Sequence, residues 1–494
     1  MKKNVTFNKI FALLKNQNNM NRTFLILLIS ILALSCQTNQ EKKKEKEKVN
    51  LNGNWEYLGF GKAIVIGDSI VKSYHTSTVG NVQTSDNSSS DFFKYYTVDT
   101  LSKNSILLKD GVKTFELFRS DKDFAKKVND SLANDPKYNF EVLWNTFNEQ
   151  YVYFEKREMD WTKIYEKYEP QVKSEIKPLE LYLIFEKMLG ELNDGHVSIN
   201  LPDEIEKDYE NQLTNNDEVT DDEIPDGLEK KVKNLIIEKH LKSVKSYNQG
   251  ELKWGMVDKD IAYIQTTNMI SWANYPIADS LSTKQFWKEW WKYLNKANNH
   301  HDDVADGTRF IMDSIVKTIG NAKACIIDLR FNGGGFDDVS VEILNHFVNK
   351  QTDICTKKVR QAERFTEKQK MSLIPSENNF KGKLYILTSH ETASAAELLV
   401  LGSKEISNSK IIGSTTEGVF SDILHKKLPN GWTYGLSNMV YQSMDGISYE
   451  EIGITPDYKL DYPAKPKDFY EYLYADLKDG DDAIEKVIEL TKTE

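Results

Sequence analysis

The chain has 494 residues and a mass of 57.0 kDa, more than one ordinary hydrophobic core accommodates, and this length predicts two or three domains. Hydrophobic residues make up 39% of the chain and charged residues 28%, which is typical of a soluble protein. The formal net charge of -11 argues against nucleic acid as a partner, because phosphate binding requires a basic surface.

The first 36 residues are predicted to be a lipoprotein signal peptide. Arg22 precedes the apolar run FLILLISILAL, which is too short to span a membrane and is typical of a signal peptide. Small residues then lead to Cys36, as in a bacterial lipobox, and Met20 would give such a signal an ordinary start. We therefore expect a lipid anchor at Cys36 in the cell envelope, followed by a charged tether over residues 37–50.

Residues 51–120 are predicted to form a small all-β module, either a barrel or a sandwich. Apolar and polar residues alternate on both sides of Asp68, which indicates a turn between two strands. The same alternation flanks Asp110 and Gly111, a dipeptide that strongly favours a two-residue hairpin turn. The polar stretch NVQTSDNSSSD between these hairpins is predicted to be a loop.

Residues 121–200 are predicted to be helical, and residues 201–250 to be an acidic polar insertion. Four aromatic residues recur at helical spacing: Phe140, Trp144, Phe147 and Tyr151. Pro178 is expected at the first turn of a second helix, which runs into NDGHVSIN. The insertion, with its DEVTDDEIPDG stretch, is predicted to be an exposed loop with one short helix.

Residues 251–494 alternate between strand and helix patterns, as in an α/β layered sheet. The run KACIIDL predicts a buried strand, so Cys325 is interpreted as a core residue, although a disulfide with Cys355 remains an alternative. The neighbouring His300 and His301 are interpreted as solvated residues of a polar loop, and a metal site is the alternative. No metal or other cofactor is predicted.

The stretch TASAAE places Ser394 at the start of a predicted helix, where two interpretations compete. Ser394 and Glu397 have the spacing of a capping box, which satisfies free amides at a helix start. Ser394 could instead be a nucleophile, provided that a base removes its proton and donors stabilise an oxyanion.

Three further segments accompany this serine: LNDGHVSI, DLRFNGGG and YEEIGITPD. In this order, the four segments resemble the serine peptidases of the C-terminal processing and tricorn-core family. The resemblance covers roughly residues 140–462 and implies a crotonase-like α/β core. Val419 stands where the lysine-dyad branch of the family has its lysine, so a Ser/Lys pair is not expected.

By the tricorn-like pattern, Ser394 is the expected nucleophile, His196 its base and Glu450 the acid that orients the histidine, with Glu451 as the adjacent alternative. The same resemblance assigns the oxyanion hole to the amides of Gly334 and Ala395. The insertion after Pro202 is too short and too polar for the PDZ domain that many relatives carry.

The expected function is a serine endopeptidase of the cell envelope, acting on a peptide or protein substrate. A catalytically silent lipoprotein that binds a ligand or peptide is the alternative, because the peptidase-like core resembles relatives that carry ligands and the β module resembles small barrels that hold hydrophobic ligands. An esterase with the same triad is a third hypothesis, because acyl transfer to water is the same chemistry for both bonds.

Overall fold

The computed structural model describes residues 50–214, 224–278, 280–296 and 299–493. The predicted signal peptide, Cys36 and the tether up to residue 49 lie outside the described residues. No helix in the described part of the chain has the length and apolar character needed to cross a membrane.

The N-terminal module is one seven-stranded antiparallel sheet with the strand order β4-β3-β2-β1-β7-β6-β5. Its strands are β1 (Gly53–Tyr57), β2 (Lys62–Ile66), β3 (Ile70–Thr76), β4 (Asn81–Ser88), β5 (Thr97–Ser102), β6 (Ser105–Asp110) and β7 (Lys113–Ser120). Both predicted hairpins are confirmed, and Asp110 pairs with Lys113 across the second turn.

The loop prediction for NVQTSDNSSSD is wrong, because this stretch forms β4 and the start of helix α1 (Ser89–Tyr95). Polar side chains hid the strand, which lies at the edge of the sheet and exposes much of its length.

The helical segment that follows packs against the core. It comprises α2 (Pro136–Gln150), α3 (Trp161–Tyr168) and α4 (Pro178–Gly190). The predicted aromatic face of α2 is largely confirmed, since Phe140 and Phe147 are buried in the main hydrophobic core. After the short strand β8 (Ser198–Ile199), the region predicted as a loop contains two helices, α5 (Glu206–Thr214) and α6 (Leu228–His240), and the strand β9 (Lys242–Tyr247). The structure has two helices where one was predicted, and α6 left little apolar signal in the sequence because it buries only three of its side chains. Most of the predicted loop DEVTDDEIPDG lies outside the described residues.

The core contains a second seven-stranded sheet, ordered β21-β17-β16-β12-β11-β10-β9. Its strands are β10 (Leu252–Met256), β11 (Ile261–Thr266), β12 (Ala324–Asp328), β16 (Lys383–Thr388), β17 (Ser409–Gly413) and β21 (Tyr458–Lys459), which follow β9. Within this sheet, the neighbouring strands β11, β12, β16, β17 and β21 run parallel to one another. This arrangement agrees with the α/β prediction. Cys325 and Cys355 are both buried and free, so the alternative of a disulfide is wrong.

Helices cover both faces of this sheet. They are α7 (Thr283–Lys296), α8 (His300–Ile319), α9 (Asp337–Asn345), α10 (Ala395–Ser403), α11 (Pro466–Asp476) and α12 (Asp482–Thr493). Two smaller sheets complete the core, one of β13 (Thr352–Gln361), β14 (Arg364–Phe365), β15 (Gln369–Leu373) and β20 (Met439–Gln442), the other of β8, β18 (Ile423–Lys427) and β19 (Thr433–Ser437). Alternate residues of β12 contribute to the hydrophobic clusters on opposite faces, which explains its continuous apolar run.

Candidate active site

Ser394 lies in the turn between β16 and α10, in a backbone conformation with φ 54° and ψ -124°. Such a conformation costs a non-glycine residue about 1–3 kcal/mol, so the surroundings must enforce it. The Ser394 amide donates to the Val419 carbonyl at 3.1 Å and to Glu397 Oε2 at 3.2 Å. The contact with Glu397 is one half of the predicted capping box.

Glu397 does more than cap the helix. Its fully buried carboxylate accepts hydrogen bonds from the Thr416 hydroxyl at 2.6 Å and from the amides of Gly418 and Val419 at 2.8 Å. Burial raises the pKa of Glu397 to about 7, although these hydrogen bonds oppose the shift. Glu397 therefore joins the nucleophile turn to the segment that ends at Val419.

The glycine turn after β12 contacts this serine directly. Gly334 has φ 99°, and a side chain there would place its Cβ 2.7 Å from the Ser394 Cβ, so only glycine fits. The Gly334 amide, predicted to be an oxyanion donor, donates to Asn332 Oδ1 at 2.9 Å. The Ala395 amide donates to no backbone carbonyl in the described part of the chain and faces the start of α10. Of the two amides predicted to donate to an oxyanion, only that of Ala395 is thus without a hydrogen-bond acceptor among the described residues.

Arg330 and Asp328 anchor the base of the glycine turn. The Arg330 guanidinium is fully buried and pairs with Asp328 at 2.7 Å and with Asp481 at 2.9 Å. Asn332 adds a hydrogen bond from its side-chain amide to the Thr266 carbonyl at 2.9 Å. The charged residues of DLRFNGGG therefore pair with one another and with Asp481, and one of its glycines, Gly334, approaches Ser394.

His196 is buried in the turn between α4 and β8. Its backbone amide donates to Asp194 Oδ1 at 2.9 Å, and the Asp194 carboxylate also accepts from the Tyr151 hydroxyl at 2.9 Å and the Ser437 hydroxyl at 3.1 Å. Asp194 thus fixes the turn that presents the histidine. Sequence reasoning missed this role, although an aspartate two residues before the histidine is a recognisable signal for an Asx turn.

Burial lowers the pKa of the His196 imidazole below its ordinary value, against opposing effects of Asp194, Asp422 and the Ser421 backbone. A neutral imidazole is the form that can accept a proton. Its Nδ1 is buried and has no hydrogen-bond partner in the described part of the chain.

Glu450 is fully buried beside this histidine segment. Its Oε2 accepts from the Phe420 amide at 2.8 Å and the Ser421 amide at 3.3 Å. Burial raises the pKa of Glu450 to about 7, opposed by the Phe420 hydrogen bond. No hydrogen bond joins Glu450 to the His196 ring among the described residues. Glu451, the predicted alternative, is exposed.

Segment 419–421 connects the three predicted residues. Val419 accepts from the Ser394 amide, the backbone of Ser421 contacts His196, and the amides of Phe420 and Ser421 bind Glu450. Each of the three predicted residues thus contacts part of one three-residue segment.

Arg157, which the sequence did not single out, connects the histidine turn to the acidic segment. Its guanidinium lies 3.6 Å from Asp194, 3.4 Å from Glu450 and 3.1 Å from Glu451. The three acidic residues follow Arg157 by 37 to 294 positions in the sequence, so no local sequence pattern could reveal this cluster. A cavity of about 550 Å³ adjoins it and is lined in part by Arg157, Gly195 and Val419.

The tip of the β6–β7 hairpin reaches the same region. The Val112 amide donates to Asp338 Oδ1 at 2.7 Å, and Lys113 Nζ lies 3.3 Å from Asp422, the residue that follows segment 419–421. His301 contacts Asp338 at 2.6 Å, inside helix α8. The prediction of a solvated loop for His301 was therefore wrong, because its helix is packed against the hairpin and α9. No group of His, Cys, Asp and Glu residues suited to a metal occurs in the described part of the chain.

Two family models match the chain. Residues 260–460 match peptidase family S41, and residues 132–190 match the tricorn protease C1 domain. The matched regions contain Ser394, Glu450 and Gly334 in the first and Arg157 in the second. His196 lies between them.

Individual relatives agree with these matches. The chain is 31% identical over 172 residues to the carboxy-terminal processing protease CtpA of Bacillus subtilis (strain 168), which covers 34% of this chain and 35% of the relative. It is 27% identical over 167 residues to the tricorn protease of Thermoplasma acidophilum, which covers 33% of this chain and 14% of the relative. The chain thus matches about a third of the length of the first relative and less of the second.

Similarity of fold extends further than similarity of sequence. A crystal structure from Parabacteroides merdae ATCC 43184 superimposes with a TM-score of 0.52 at 21% identity, covering 72% of this chain and 96% of that one. At this identity the likeness establishes the fold alone.

Proposed function

Residues 260–460 match peptidase family S41, and from this match we propose that the chain is a serine endopeptidase of the cell envelope. The observation that carries the proposal is segment 419–421, which contacts Ser394, His196 and Glu450. A protein that only binds a ligand has no need of a strained serine and a buried imidazole of lowered pKa on the same short segment.

In the proposed reaction, Ser394 Oγ attacks the carbonyl carbon of a peptide bond while His196 accepts the hydroxyl proton. The histidine then gives this proton to the leaving amine, the C–N bond breaks, and an acyl ester on Ser394 remains. Water attacks the ester, His196 takes its proton and returns one to Ser394 as the ester bond breaks. The Ala395 amide, at the positive end of helix α10, stabilises the oxyanion in both steps.

The test is hydrolysis of casein by the full-length chain. Ser394→Ala and His196→Ala should each lower kcat at least about 10³-fold, because the two groups act as a unit. Ser407→Ala, at an exposed serine, and His390→Ala, at a histidine bonded to the Pro463 carbonyl, are the matched controls and should retain activity. Hydrolysis that survives Ser394→Ala would refute the mechanism. Activity on p-nitrophenyl esters but not on casein would favour the esterase.

Glu450 is proposed to be a positioning residue rather than a direct partner of the imidazole. Glu450→Ala removes the acceptor for two amides of segment 419–421 and should lower kcat about 10- to 100-fold, as loss of a supporting hydrogen bond commonly does. Glu450→Gln keeps an oxygen that can accept from the same amides, so it should recover most of the activity. Equal losses in both variants would mean that the charge of Glu450, and not its hydrogen bonds, is required.

A lipid anchor at Cys36 is part of the proposal and rests on the sequence. Cys36→Ser should abolish incorporation of radiolabelled palmitate and move the protein from the detergent phase to the aqueous phase. Unchanged labelling would exclude Cys36 as the modified residue.

A further inference from the structure

A cavity of about 430 Å³ lies between the module sheet, helix α1 and His300 of helix α8. Five of its lining residues are aromatic: Tyr57, Tyr74, Phe92, Tyr95 and Tyr96. A hydrogen bond from the Asn299 side chain to the Tyr95 carbonyl, at 3.1 Å, joins helix α1 to the core at the edge of this cavity. Its size and aromatic lining are those of small-ligand sites in proteins.

Lys62 of strand β2 lies in the wall of this cavity without a partner. Its ammonium makes no hydrogen bond or ion pair in the described part of the chain. Burial lowers the pKa of Lys62 to about 8, with a further contribution from Lys113. A cation held in such a place costs stability unless an anion pairs with it.

Three other basic groups near Lys62 have a partner of their own. Lys113 pairs with Asp422 at 3.3 Å, Lys426 donates to the Phe60 carbonyl at 2.7 Å, and His75 accepts from the Lys427 amide at 2.9 Å. The one carboxylate in the cavity wall, Asp110, faces His301 at 3.7 Å. The end of the cavity around Lys62 therefore carries uncompensated positive charge.

We propose that this cavity binds a carboxylate carried on an apolar or aromatic body. Lys62 would pair with the carboxylate, and the tyrosine and phenylalanine rings would contact the body. The C-terminal residue of a peptide and a fatty acid both have this chemistry.

One residue of the cavity wall, His300, contacts the segment that follows the glycine turn. The His300 ring is tilted against the Phe336 ring, with centroids 5.7 Å apart, and Phe336 comes two residues after Gly334. A peptide held by its C-terminal carboxylate could therefore extend towards Ser394. Only this last step rests on the proposed peptidase function, since binding itself requires no catalysis.

The experiment is calorimetric titration of the full-length chain carrying Ser394→Ala, so that no probe is cleaved. The probes are N-acetyl-dialanyl-phenylalanine, the C-terminal amide of the same peptide, and decanoate. At least one of the two acids should bind at least tenfold more tightly than the amide peptide. Lys62→Met should weaken that binding at least tenfold, and Lys72→Met, at an exposed lysine of the neighbouring strand β3, should leave it unchanged.

Binding of the acid should also weaken as pH rises from 7 to 9.5, because Lys62 loses its proton near its pKa of about 8. Of the groups that face Lys62, Lys426 can also lose its proton in this range, because burial lowers its pKa well below the ordinary value, so the response is assigned to Lys62 only if Lys62→Met removes it. Burial lowers the pKa of His75 and raises the pKa values of Tyr57 and Tyr96, so all three stay neutral across this range. The remaining neighbours are Tyr74, Tyr95, Asp110, Lys113, His300, His425 and Lys426.

Each outcome decides the proposal. Binding of the peptide acid alone identifies a peptide C-terminus, and binding of decanoate alone identifies a fatty acid; both support the proposed chemistry. Equal binding of acid and amide, no binding of any probe, or full affinity in a correctly melting Lys62→Met would overturn it. Lys62→Arg, which keeps the charge, checks that loss of binding is not loss of folding. Casein hydrolysis is measured separately, so failure of one proposal does not imply failure of the other.

Discussion

The N-terminal module and the core each contain a seven-stranded sheet, yet they bury their strands differently. In β3 only Val71 and Tyr74 are buried, whereas every residue of β11 and β12 is buried. The module sheet packs mainly through one face, and the core sheet is covered by helices on both. The two regions also differ in how far they bury charged side chains. The core encloses Arg330 completely, whereas Lys113 of the module is partly exposed where the module contacts the core. The core thus holds the candidate site residues, and the module places one charged group, Lys113, near them.

The largest effect is expected from breaking the buried ion pairs of the core. Arg330→Met leaves Asp328 and Asp481 without their cation and should cost about 3–5 kcal/mol of unfolding free energy. Lys94→Met is the control, because the side chains of Lys94 and its partner Asp91 are 52% and 57% exposed and surface ion pairs contribute about 0–1 kcal/mol. Urea denaturation measures both. Similar losses of unfolding free energy in the two variants would show that burial does not make the Arg330 ion pairs more important for stability than an exposed pair.

A smaller effect is expected where the module hairpin meets the core. Gly111 has φ 56°, and an added Cβ would lie 2.1 Å from Asp338 Oδ1 and 2.8 Å from the His301 Cβ. Gly111→Ala should therefore cost about 2–4 kcal/mol, from the left-handed backbone and the overpacking together. Gly227 has φ 75°, and an added Cβ would meet no atom of the described residues within 4 Å, so Gly227→Ala reports the backbone part alone, about 1–2 kcal/mol. Equal losses of unfolding free energy in the two variants would mean that the atoms around Gly111 move aside for the added Cβ at no cost.

The smallest effect is a shift in the pH dependence of hydrolysis. Burial lowers the pKa of His196, and only the neutral imidazole accepts a proton, so activity should fall on acidification at a pH below the ~6.5 of an ordinary histidine. Lys113 contributes to this lowering. Lys113→Met should therefore raise the pKa of His196 and move the acid limb to higher pH.

The control for this shift lies on the same hairpin. Lys109→Met removes an exposed lysine paired with Asp99 and should leave the acid limb in place. An acid limb that is unchanged in Lys113→Met would show that the module has no electrostatic influence on the histidine.

Sequence alone predicted the parts of the fold that repeat a simple period. The continuous apolar run of β12 and the Asp110–Gly111 turn were identified correctly, because burial on two faces and a turn that favours positive φ leave local signals. The edge strand β4 and helix α6 were missed because solvent permits polar residues on most of their surface. His301 was misplaced for a related reason: its polar neighbours look solvated until the hairpin tip covers them.

For the candidate site, the sequence determined which residue types are available: a serine at a helix start, a histidine in a turn, an acidic pair and a glycine turn. The tertiary structure decided how they connect. Glu450 binds the amides of segment 419–421 instead of the imidazole, Gly334 donates to Asn332, and Arg157 joins elements that are far apart in the chain. Hydrogen-bond partners depend on distances of a few ångströms between distant segments, and such distances arise only when the sheets and helices pack.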